Sequence, residues 1–501
     1  MKSKILAGAG IMSLAGLCGC VNVDEEVAAA PSVYWKAPKE AKPEALYAPS
    51  QIKTDKIEED KNSEAAEKPE RNRGGELSAS EKMIAGKKLE LSELSDIALE
   101  NNTSTRVYWF QAKRYAASVG KAQAAYYPQV SVGGEIYRDK TKPSVGYSLG
   151  IPIGAYYETA YGPSAQINWL LCDFGKRGAR VDSAKEALRA ANFEYNQSIQ
   201  DVVLAVNVAY FNYCAAVGAV KAALLSLEDA KTSFESADRK LKDGVGNKQD
   251  MLNALAAVKS AEFQVENGKA QVETARASLA LAMGVEVSNI ANIADEMPSL
   301  SSPEAGKSIE ELVARAMKSR QSLMAQYASL RKTQSDAEIA RRDFLPQISA
   351  NASAAYGWYT QRDRDDQYQY QVGLSASWSV FEGFARKYEL VSAKAAERAQ
   401  AQQLKAEQIK IISDVWAYYH VYLSASKQVE SAKAVVEASL EAYKATKIGF
   451  DSGVSSITDL LDAQNRLASA RQTEVNARAS LSSAVARLSH AVGAIGAKLE
   501  M

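Results

Sequence analysis

Two stretches of this chain, SAQINWLLCDFGKR at 164–177 and GLSASWSVFEGFAR at 373–386, are copies of one pattern. A shift of 209 positions, the distance between Trp169 and Trp378, aligns residues 164–284 with their copies without a gap. Because the chain has only six Trp, this match is not a consequence of composition. The same shift aligns Arg177 with Arg386, Tyr210 with Tyr419, Gly244 with Gly453, and Gly284 with Gly493. The sequence therefore predicts a tandem repeat of two similar structural units.

The composition argues against several classes of function. Lys and Arg number 60 and so do Asp and Glu, which gives a nucleic-acid partner no electrostatic support. The two His, His420 and His490, have no Ser, Cys or metal-ligand partner in the pattern, and Cys172 and Cys214 are expected as small apolar fillers. No phosphate-binding G-x-x-x-x-G-K-[ST] loop is present in the sequence. We therefore predict a protein that is not an enzyme, with no catalytic residue, cofactor or metal.

The N-terminus is typical of an exported protein. Lys2 and Lys4 precede an apolar stretch at 5–17 that is too short to span a membrane permanently. It ends in Leu17-Cys18-Gly19-Cys20, which resembles the bacterial lipoprotein box. This predicts a signal peptide at 1–19 and lipidation of Cys20 as an anchor to outer-membrane lipid. The alternative is a secreted protein in which this Cys is incidental.

Residues 20–90 differ in composition from the rest of the chain. They hold five of the twelve prolines and a mixture of both charge signs. Such a segment buries too little apolar surface to offset its loss of conformational entropy. The sequence predicts a flexible linker here, either a tether or an extended wrap.

Long helices are predicted beyond this linker, because prolines are nearly absent and Ala, Leu, Glu and Lys are abundant. The first repeat is predicted at 91–297 and the second at 298–495. The predicted helices are short ones at 96–126 and 309–343, long ones at 177–241 and 386–450, and return helices at 248–283 and 456–491. The long helices would each extend roughly 100 Å, which is typical of coiled-coil rods or the staves of a tube.

Between these helices the apolar period changes from 3.6 to 2, after Pro128 and Pro346. This predicts β-hairpins at 128–172 and 346–381, with strands of about ten residues and tips at 139–162 and 359–369. One face would be apolar and the other lined by Ser, Asn, Gln and Gly, which favours a membrane strand beside water over a soluble hairpin packed on a helix. The predicted aromatic girdle at the membrane interface is Trp169, Trp378, Phe381 and Tyr356.

Two hairpins supply only four strands, which cannot close into a barrel. An open sheet edge in lipid leaves unpaired backbone groups that cost several kcal/mol each. The chain is therefore expected to combine strands with copies of itself, forming a ring with a helical tube on one side.

The chain resembles the TolC-type outer-membrane channels, the exit ducts of bacterial efflux pumps and type I secretion systems. The resemblance runs from about 90 to 495 and rests on the Tyr-Pro-Gln and Leu-Pro-Gln joints at 127–129 and 345–347, WSVFEG at 378–383 and GVSSITDLLDAQ at 453–464. It implies a mixed α+β homotrimer in the outer membrane of a Gram-negative bacterium, with a twelve-stranded β-barrel joined to a periplasmic α-helical barrel. It also implies a passive duct, with efflux slightly favoured over secretion.

The implied partners are a periplasmic adaptor (membrane fusion) protein and an inner-membrane pump or ABC exporter. The alternative function is a coiled-coil structural lipoprotein without a pore, which would have no use for two amphipathic hairpins. The first repeat departs from the family pattern, since Cys172 replaces Phe381 and GVGNKQDMLNAL replaces the second tip.

The turns between long and return helices carry the candidate sites. Asp459 and Asp462 are three residues apart and share a helix face, and Asp250 holds the place of Asp459 in the first repeat. Three copies would place a ring of carboxylates around one axis, and the resemblance implies a gate there. The alternative is that acidic residues in a first turn complement the helix dipole. The resemblance also implies adaptor docking at the turn residues, whose alternative role is to end the helices: Gly244, Val245, Gly453 and Val454.

Overall fold

The computed structural model of the protein describes residues 27–36, 88–141, 156–290, 292–295, 308–360 and 366–494. The predicted signal peptide, Cys20 and most of the predicted linker lie outside these residues. The chain divides into two compact units. Of the described residues, the sheet unit comprises 27–29, 110–141, 156–192, 323–360 and 366–407, and the helical unit comprises 30–36, 88–109, 193–290, 292–295, 308–322 and 408–494.

Both repeats have the same order of elements. The first contains α1 Leu91–Asn101, α2 Thr103–Gln123, β1 Gln129–Thr141, β2 Tyr156–Cys172, α3 Lys176–Lys242 and α4 Lys248–Met283. The second contains α5 Ile309–Ser319, α6 Gln321–Arg342, β3 Gln347–Tyr359, β4 Gln367–Ser377, α7 Ala385–Asp451 and α8 Ile457–Ala491. The two long helices, α3 and α7, have 67 residues each and extend one residue beyond the predicted bounds at both ends.

Among the described residues, α3 is the one helix with a stretch apolar enough to cross a membrane. Its 67 residues extend about 100 Å, roughly three times the thickness of the hydrocarbon layer. Side chains along this helix, including Tyr195, Val206 and Phe211, are buried within the protein. Part of the apolar stretch is therefore packed within the protein.

Each short helix is divided in two, whereas the sequence predicted single helices at 96–126 and 309–343. In the first repeat the break lies at Asn102, whose side-chain amide donates to the carbonyl of Ala282 at 2.9 Å. Gly284, which ends α4 with a φ of +72°, packs against this break, and a Cβ on it would lie 2.9 Å from the Cα of Asn102. The break therefore accommodates the end of the return helix.

The second repeat is built in the same way. Its break lies at Arg320, whose guanidinium donates to the carbonyl of His490 at 3.1 Å. Gly493 follows α8 with a φ of +74°, and a Cβ on it would lie 2.7 Å from the hydroxyl oxygen of Ser319. Residues from distant parts of each repeat make these contacts, which is why local periodicity did not predict the breaks.

The four strands form one antiparallel sheet in the order β1-β2-β3-β4, so β2 and β3 join the two hairpins. Their lengths of 13, 17, 13 and 11 residues exceed the predicted length of about ten. The first predicted tip, 139–162, is too long, because β2 already begins at Tyr156. A register shift between Leu170 and Cys172 marks a bulge near the end of β2.

In the central rows of the sheet, the register aligns apolar with apolar and polar with polar residues across all four strands. One row joins Val130, Ile167, Ala352 and Val372, and the adjacent row joins Ser131, Gln166, Ser353 and Gln371. Directly paired residues of an antiparallel sheet lie on the same face. The sheet therefore has one apolar face and one polar face, as the predicted alternation requires.

An arginine closes the first junction between strand and long helix. The guanidinium of Arg177 donates to the carbonyls of Leu170 at 2.6 Å and Leu171 at 3.0 Å, and lies 4.7 Å from the ring centre of Tyr126. Its ion pair with Asp173, at 3.2 Å, is almost completely buried, with the two side chains 7% and 6% exposed.

Arg386 closes the second junction with fewer buried contacts. Its guanidinium donates to the carbonyls of Asp343 and Ser379 and pairs with Glu382 at 3.3 Å. Glu382 is 46% exposed, so this ion pair is in contact with solvent. The repeated arginine thus has one structural role in two different environments.

Residues 27–36 do not behave as a flexible linker, because they pack against helices as a wrap. In the sheet unit Val27 joins an apolar cluster with Ala116 and Leu188. In the helical unit the backbone of Trp35 exchanges two hydrogen bonds of 2.8 Å with the side chain of Asn196. Of the two alternatives for the linker, these ten residues follow the extended wrap, because their buried side chains offset the cost of ordering.

Candidate functional site

The apolar face of the sheet is not covered by any other part of the described chain. Val132 and Ile136 on β1 are 80% and 76% exposed, and Val372 and Leu374 on β4 are 81% and 74% exposed. A contiguous exposed apolar surface of this kind marks contact with a membrane or a partner. Within the described residues, β1 and β4 each pair on one side only, so both edges of the sheet are open.

The predicted girdle residues lie near the two ends of the strands. The indole nitrogens of Trp169 and Trp378 donate to the carbonyls of Tyr126 at 2.9 Å and Phe344 at 3.0 Å, at equivalent joints of the two repeats. Both indoles therefore have a satisfied polar end beside the sheet, the arrangement common at membrane interfaces.

The other two girdle candidates lie apart from each other. Phe381 is 71% exposed and makes an edge-to-face contact with Phe384, next to the start of α7. Tyr356 lies near the hairpin end of β3, where its hydroxyl donates to Asp366 at 3.2 Å. The four residues thus divide into three at the helix end of the sheet and one at the hairpin end.

The first tip joins α3 to α4 through a tight turn. Gly244 has a φ of +72°, and the amide of Val245 donates to the carbonyl of Lys240 at 3.0 Å. The side chain of Asn247 then caps α4 by accepting from the amide of Asp250 at 2.7 Å. A glycine in the left-handed conformation is the common C-terminal cap of a helix.

The second tip has the same backbone and different side-chain chemistry. Gly453 has a φ of +80°, and the amide of Val454 donates to the carbonyl of Gly449 at 2.8 Å. Ser456 and Asp459 form a reciprocal capping box at the start of α8. The Asp459 carboxylate accepts from the hydroxyl of Ser456 at 2.7 Å and from its amide at 3.0 Å, and these bonds lower the pKa of Asp459.

Asp462 occupies a different environment one turn later. Its carboxylate pairs with Arg466 at 2.8 Å, and both side chains are more than half exposed. The two candidate gate carboxylates are therefore not equivalent, because Asp459 caps a helix while Asp462 makes only an exposed ion pair.

The tip also contains polar links that the sequence did not predict. Arg471 on α8 pairs with Asp229 on α3 at 2.8 Å, and Ser236 donates to Asp451 at 2.7 Å. These partners lie 242 and 215 residues apart, so no local pattern pointed to them. They connect the first repeat to the second within the helical unit.

The chain thus combines a sheet that has one exposed apolar face and two open edges with two helices of 67 residues each. An apolar sheet face of this kind is suited to lipid, and the class of protein follows from the family match. The family model described as outer membrane efflux protein matches residues 94–285 and 312–494. The chain belongs to the outer membrane efflux protein family. It is an outer-membrane channel that serves as an exit duct, and members of this family are components of tripartite efflux and secretion systems.

Individual relatives support this placement. Protein CyaE of Bordetella pertussis is 26% identical over 425 residues, which are 81% of this chain and 85% of that protein. Outer membrane protein TolC of Vibrio cholerae is 24% identical and covers 81% of this chain and 91% of its own length. The CmeC outer membrane channel of Campylobacter jejuni has the same fold, with a TM-score of 0.70 at 17% identity over 86% of this chain and 94% of that structure.

Proposed function

We propose that three copies of this chain close into one channel, whose helical tips form the periplasmic gate and receive cargo from an adaptor and an inner-membrane pump. The observation that supports this most strongly is the four-stranded sheet with two open edges and one apolar face. Unpaired strand edges are not stable in lipid, because each unsatisfied backbone group costs several kcal/mol. Pairing β4 of one copy with β1 of the next removes every edge in a ring.

The gate is proposed at the ring of tip carboxylates formed by Asp250, Asp459 and Asp462. Asp459 contributes a charge of fixed position, because its carboxylate is held by hydrogen bonds from the hydroxyl and the amide of Ser456 in the capping box of α8. Asp462, held only by the exposed Arg466, is free to change partner when a cation approaches. Rings of carboxylates of this kind favour cations over anions.

The adaptor is proposed to dock on the turns themselves. Val245 and Val454 are 78% and 86% exposed, and they are apolar residues at the extreme end of each helical pair. Gly244 and Gly453 leave open space beside the backbone, since a Cβ at either position would meet no atom within 4 Å. A helical partner could therefore approach both turns closely.

Lipidation of Cys20 would add an anchor in the outer membrane, and we favour efflux over polypeptide secretion as the use of the duct. Globomycin treatment, which blocks lipoprotein processing, followed by mass spectrometry of the N-terminal peptide would test the anchor.

The assembly is tested by purifying the mature chain in mild detergent and measuring its mass and its conductance in planar bilayers. A trimer with cation-selective conductance is expected. A soluble monomer without conductance would instead support the alternative of a structural lipoprotein.

The gate is tested with the single variants Asp459→Asn and Asp462→Asn and the double variant. The double variant is expected to raise conductance and to weaken block by multivalent cations. Asp462→Asn should account for most of the change in cation block, because its carboxylate is the less constrained of the two. The proposal fails if the double variant conducts and is blocked like the parent channel.

A further inference from the structure

The two hairpins differ in chemistry where the first strand of each approaches its tip. The Pro-Gln joints that precede β1 and β3 align these two strands at a shift of 218 positions. At this shift Arg138 and Lys140 of β1 correspond to Tyr356 and Trp358 of β3. Equivalent positions of the two repeats are therefore basic in the first hairpin and aromatic in the second.

Both basic residues lie on the apolar face of the sheet. Arg138 and Lys140 follow Val130 by eight and ten positions, and residues an even number of positions apart on a strand share a face. Both are exposed. The polar face carries the opposite charge at this level, because Asp139 of β1 is paired directly with Glu158 of β2. The two signs of charge are thus separated across the sheet, with the basic residues on the face that meets lipid.

The length of the strands places this basic pair at the outer boundary of the hydrocarbon layer. Arg138 is paired with Thr159, which precedes Trp169 by ten residues on β2, and Trp169 lies at the helix end of the sheet. Ten residues extend about 34 Å along a strand, or about 26 Å across a membrane at a tilt of about 40°. The apolar band of a membrane barrel is about 25 Å tall. Because the tunnel extends into the periplasm from the helix end, the basic pair faces the outer leaflet.

Aromatic side chains lie beside the basic pair on the same face. The Arg138 guanidinium and the Lys140 ammonium lie 5.2 Å and 5.0 Å from the ring centre of Tyr157. On the next strands Tyr161 stacks on Trp358, with ring centres 5.5 Å apart. Such rings are typical of the headgroup level of a membrane. A cation–π contact orients a basic side chain and does not neutralise its charge.

We propose that Arg138 and Lys140 bind the phosphate groups of a phosphorylated lipid in the outer leaflet of the outer membrane. Residues two positions apart on a strand are separated by about 7 Å, so both long side chains can reach one phosphate group. Arg and Lys each form charge-assisted hydrogen bonds with phosphate oxygens. The site belongs to the first repeat, because the second has no charge at the equivalent positions.

The apolar surface next to the basic pair favours a lipid over a soluble phosphate compound. Val132 and Ile136 precede the pair on the same face of β1 and are 80% and 76% exposed. An acyl chain whose phosphate is held at Arg138 would lie along these side chains and remove apolar surface from water. A free phosphate ion gains from the two charges alone.

Native mass spectrometry of the detergent-purified full chain tests the proposal, because it counts the lipids retained by each chain. The probes are diphosphorylated lipid A and the zwitterionic dioleoylphosphatidylcholine. Arg138→Gln combined with Lys140→Gln should weaken the binding of lipid A about 25-fold, which is about fivefold for each charge, and should leave phosphatidylcholine binding unchanged. Both residues are exposed, so the variant should fold like the parent, which circular dichroism checks.

Two control variants separate the position of the charges from their number. Arg138→Lys combined with Lys140→Arg keeps both charges on the face and should retain most of the affinity for lipid A. Lys259→Gln combined with Lys269→Gln removes two charges from exposed positions of α4, and it should leave lipid binding unchanged.

The outcomes separate this inference from the proposed function. Equal binding of lipid A by the parent and the Arg138→Gln, Lys140→Gln variant, or an equal loss in the α4 control, would overturn the site. Displacement of lipid A by inorganic phosphate at equal concentration would overturn the assignment to a lipid. Because lipids are counted per chain, failure of the chain to form a trimer would overturn the proposed function alone, and loss of the site would leave the channel intact.

Discussion

The two helical tips share a backbone and differ in the chemistry of their side chains. Gly244 and Gly453 have φ values of +72° and +80°, and both turns return an amide to the last helical carbonyls. The cap differs, because Asn247 acts alone while Ser456 and Asp459 bond to each other. Duplication has kept the residue that the turn needs and has allowed the polar positions to diverge.

The two strand-to-helix junctions also share a backbone arrangement and differ in their side chains, and here the difference is expected to affect the free energy of unfolding more strongly. Arg177 and Asp173 are buried together, whereas the partner of Arg386 is half exposed. Breaking a buried ion pair leaves an uncompensated charge, and breaking an exposed one leaves charges that water can solvate. Equivalent residues of two repeats are therefore expected to differ in their effect on stability.

The largest expected effect comes from this pair of arginines. Arg177→Ala should destabilise the protein by about 3–5 kcal/mol, because Asp173 would remain buried without its partner. Arg386→Ala should cost about 1 kcal/mol from its exposed ion pair, plus the loss of its bonds to two carbonyls. Denaturant unfolding in detergent measures both, and equal losses would contradict the comparison.

The glycines that end the return helices should give the next largest effect. Gly284→Ala and Gly493→Ala each place a Cβ in a left-handed residue, at about 1–2 kcal/mol, and also against the neighbouring helix break. Gly244→Ala and Gly453→Ala are matched controls, since they carry the same conformational cost with no atom nearby. Thermal unfolding should therefore show a larger loss for the first pair than for the controls.

Helix capping at the two tips should give a smaller difference. Ser456→Ala removes an acceptor for the amide of Asp459 and a donor to its carboxylate, and should cost about 1–2 kcal/mol. Asn247→Ala removes a single acceptor and should cost about 0.5–1 kcal/mol. Amide hydrogen exchange in the first turns of α4 and α8 measures how much protection each variant loses relative to the parent chain. An equal loss of protection in the two variants would contradict the predicted difference between the caps.

The smallest expected effect is a pH dependence present in one repeat only. Burial raises the pKa of Asp201, but hydrogen bonds from His490 and Gln197 outweigh it, and the net pKa is lowered. The carboxylate form is therefore stabilised by folding. Its contribution is present above the ordinary pKa of about 4 and is lost as the pH falls through the lowered value.

His490→Leu, which introduces the residue found at position 281 of the first repeat, should make the loss of stability between about pH 5 and 3 shallower. Leu281→His, on the exposed face of α4, serves as a control that should leave this pH dependence unchanged. Melting temperatures of the parent chain and both variants, measured across that pH range in one buffer series, test this prediction. If the melting temperature of His490→Leu depends on pH as in the parent chain, the Asp201–His490 contact is not the cause of this pH dependence.

Local sequence was sufficient for the long helices, the return helices and the two faces of the sheet. Helix bounds follow from the missing prolines and from glycines such as Gly244, and strand faces follow from an alternation of period two. For the candidate gate, the sequence showed only that two carboxylates, Asp459 and Asp462, share a helix face. That Asp459 caps a helix while Asp462 does not depends on side-chain geometry that spacing alone does not specify.

Tertiary packing alone set the helix breaks at Asn102 and Arg320, the choice between tether and wrap for residues 27–36, and the links between α3 and α8. Each depends on contacts between residues 161 to 289 positions apart, including Trp35 with Asn196 and Asp201 with His490. Periodicity and turn chemistry describe a residue and its near neighbours in the chain. Which distant surfaces meet is decided by the free energy of the assembled contacts, and that appears only once the chain is folded.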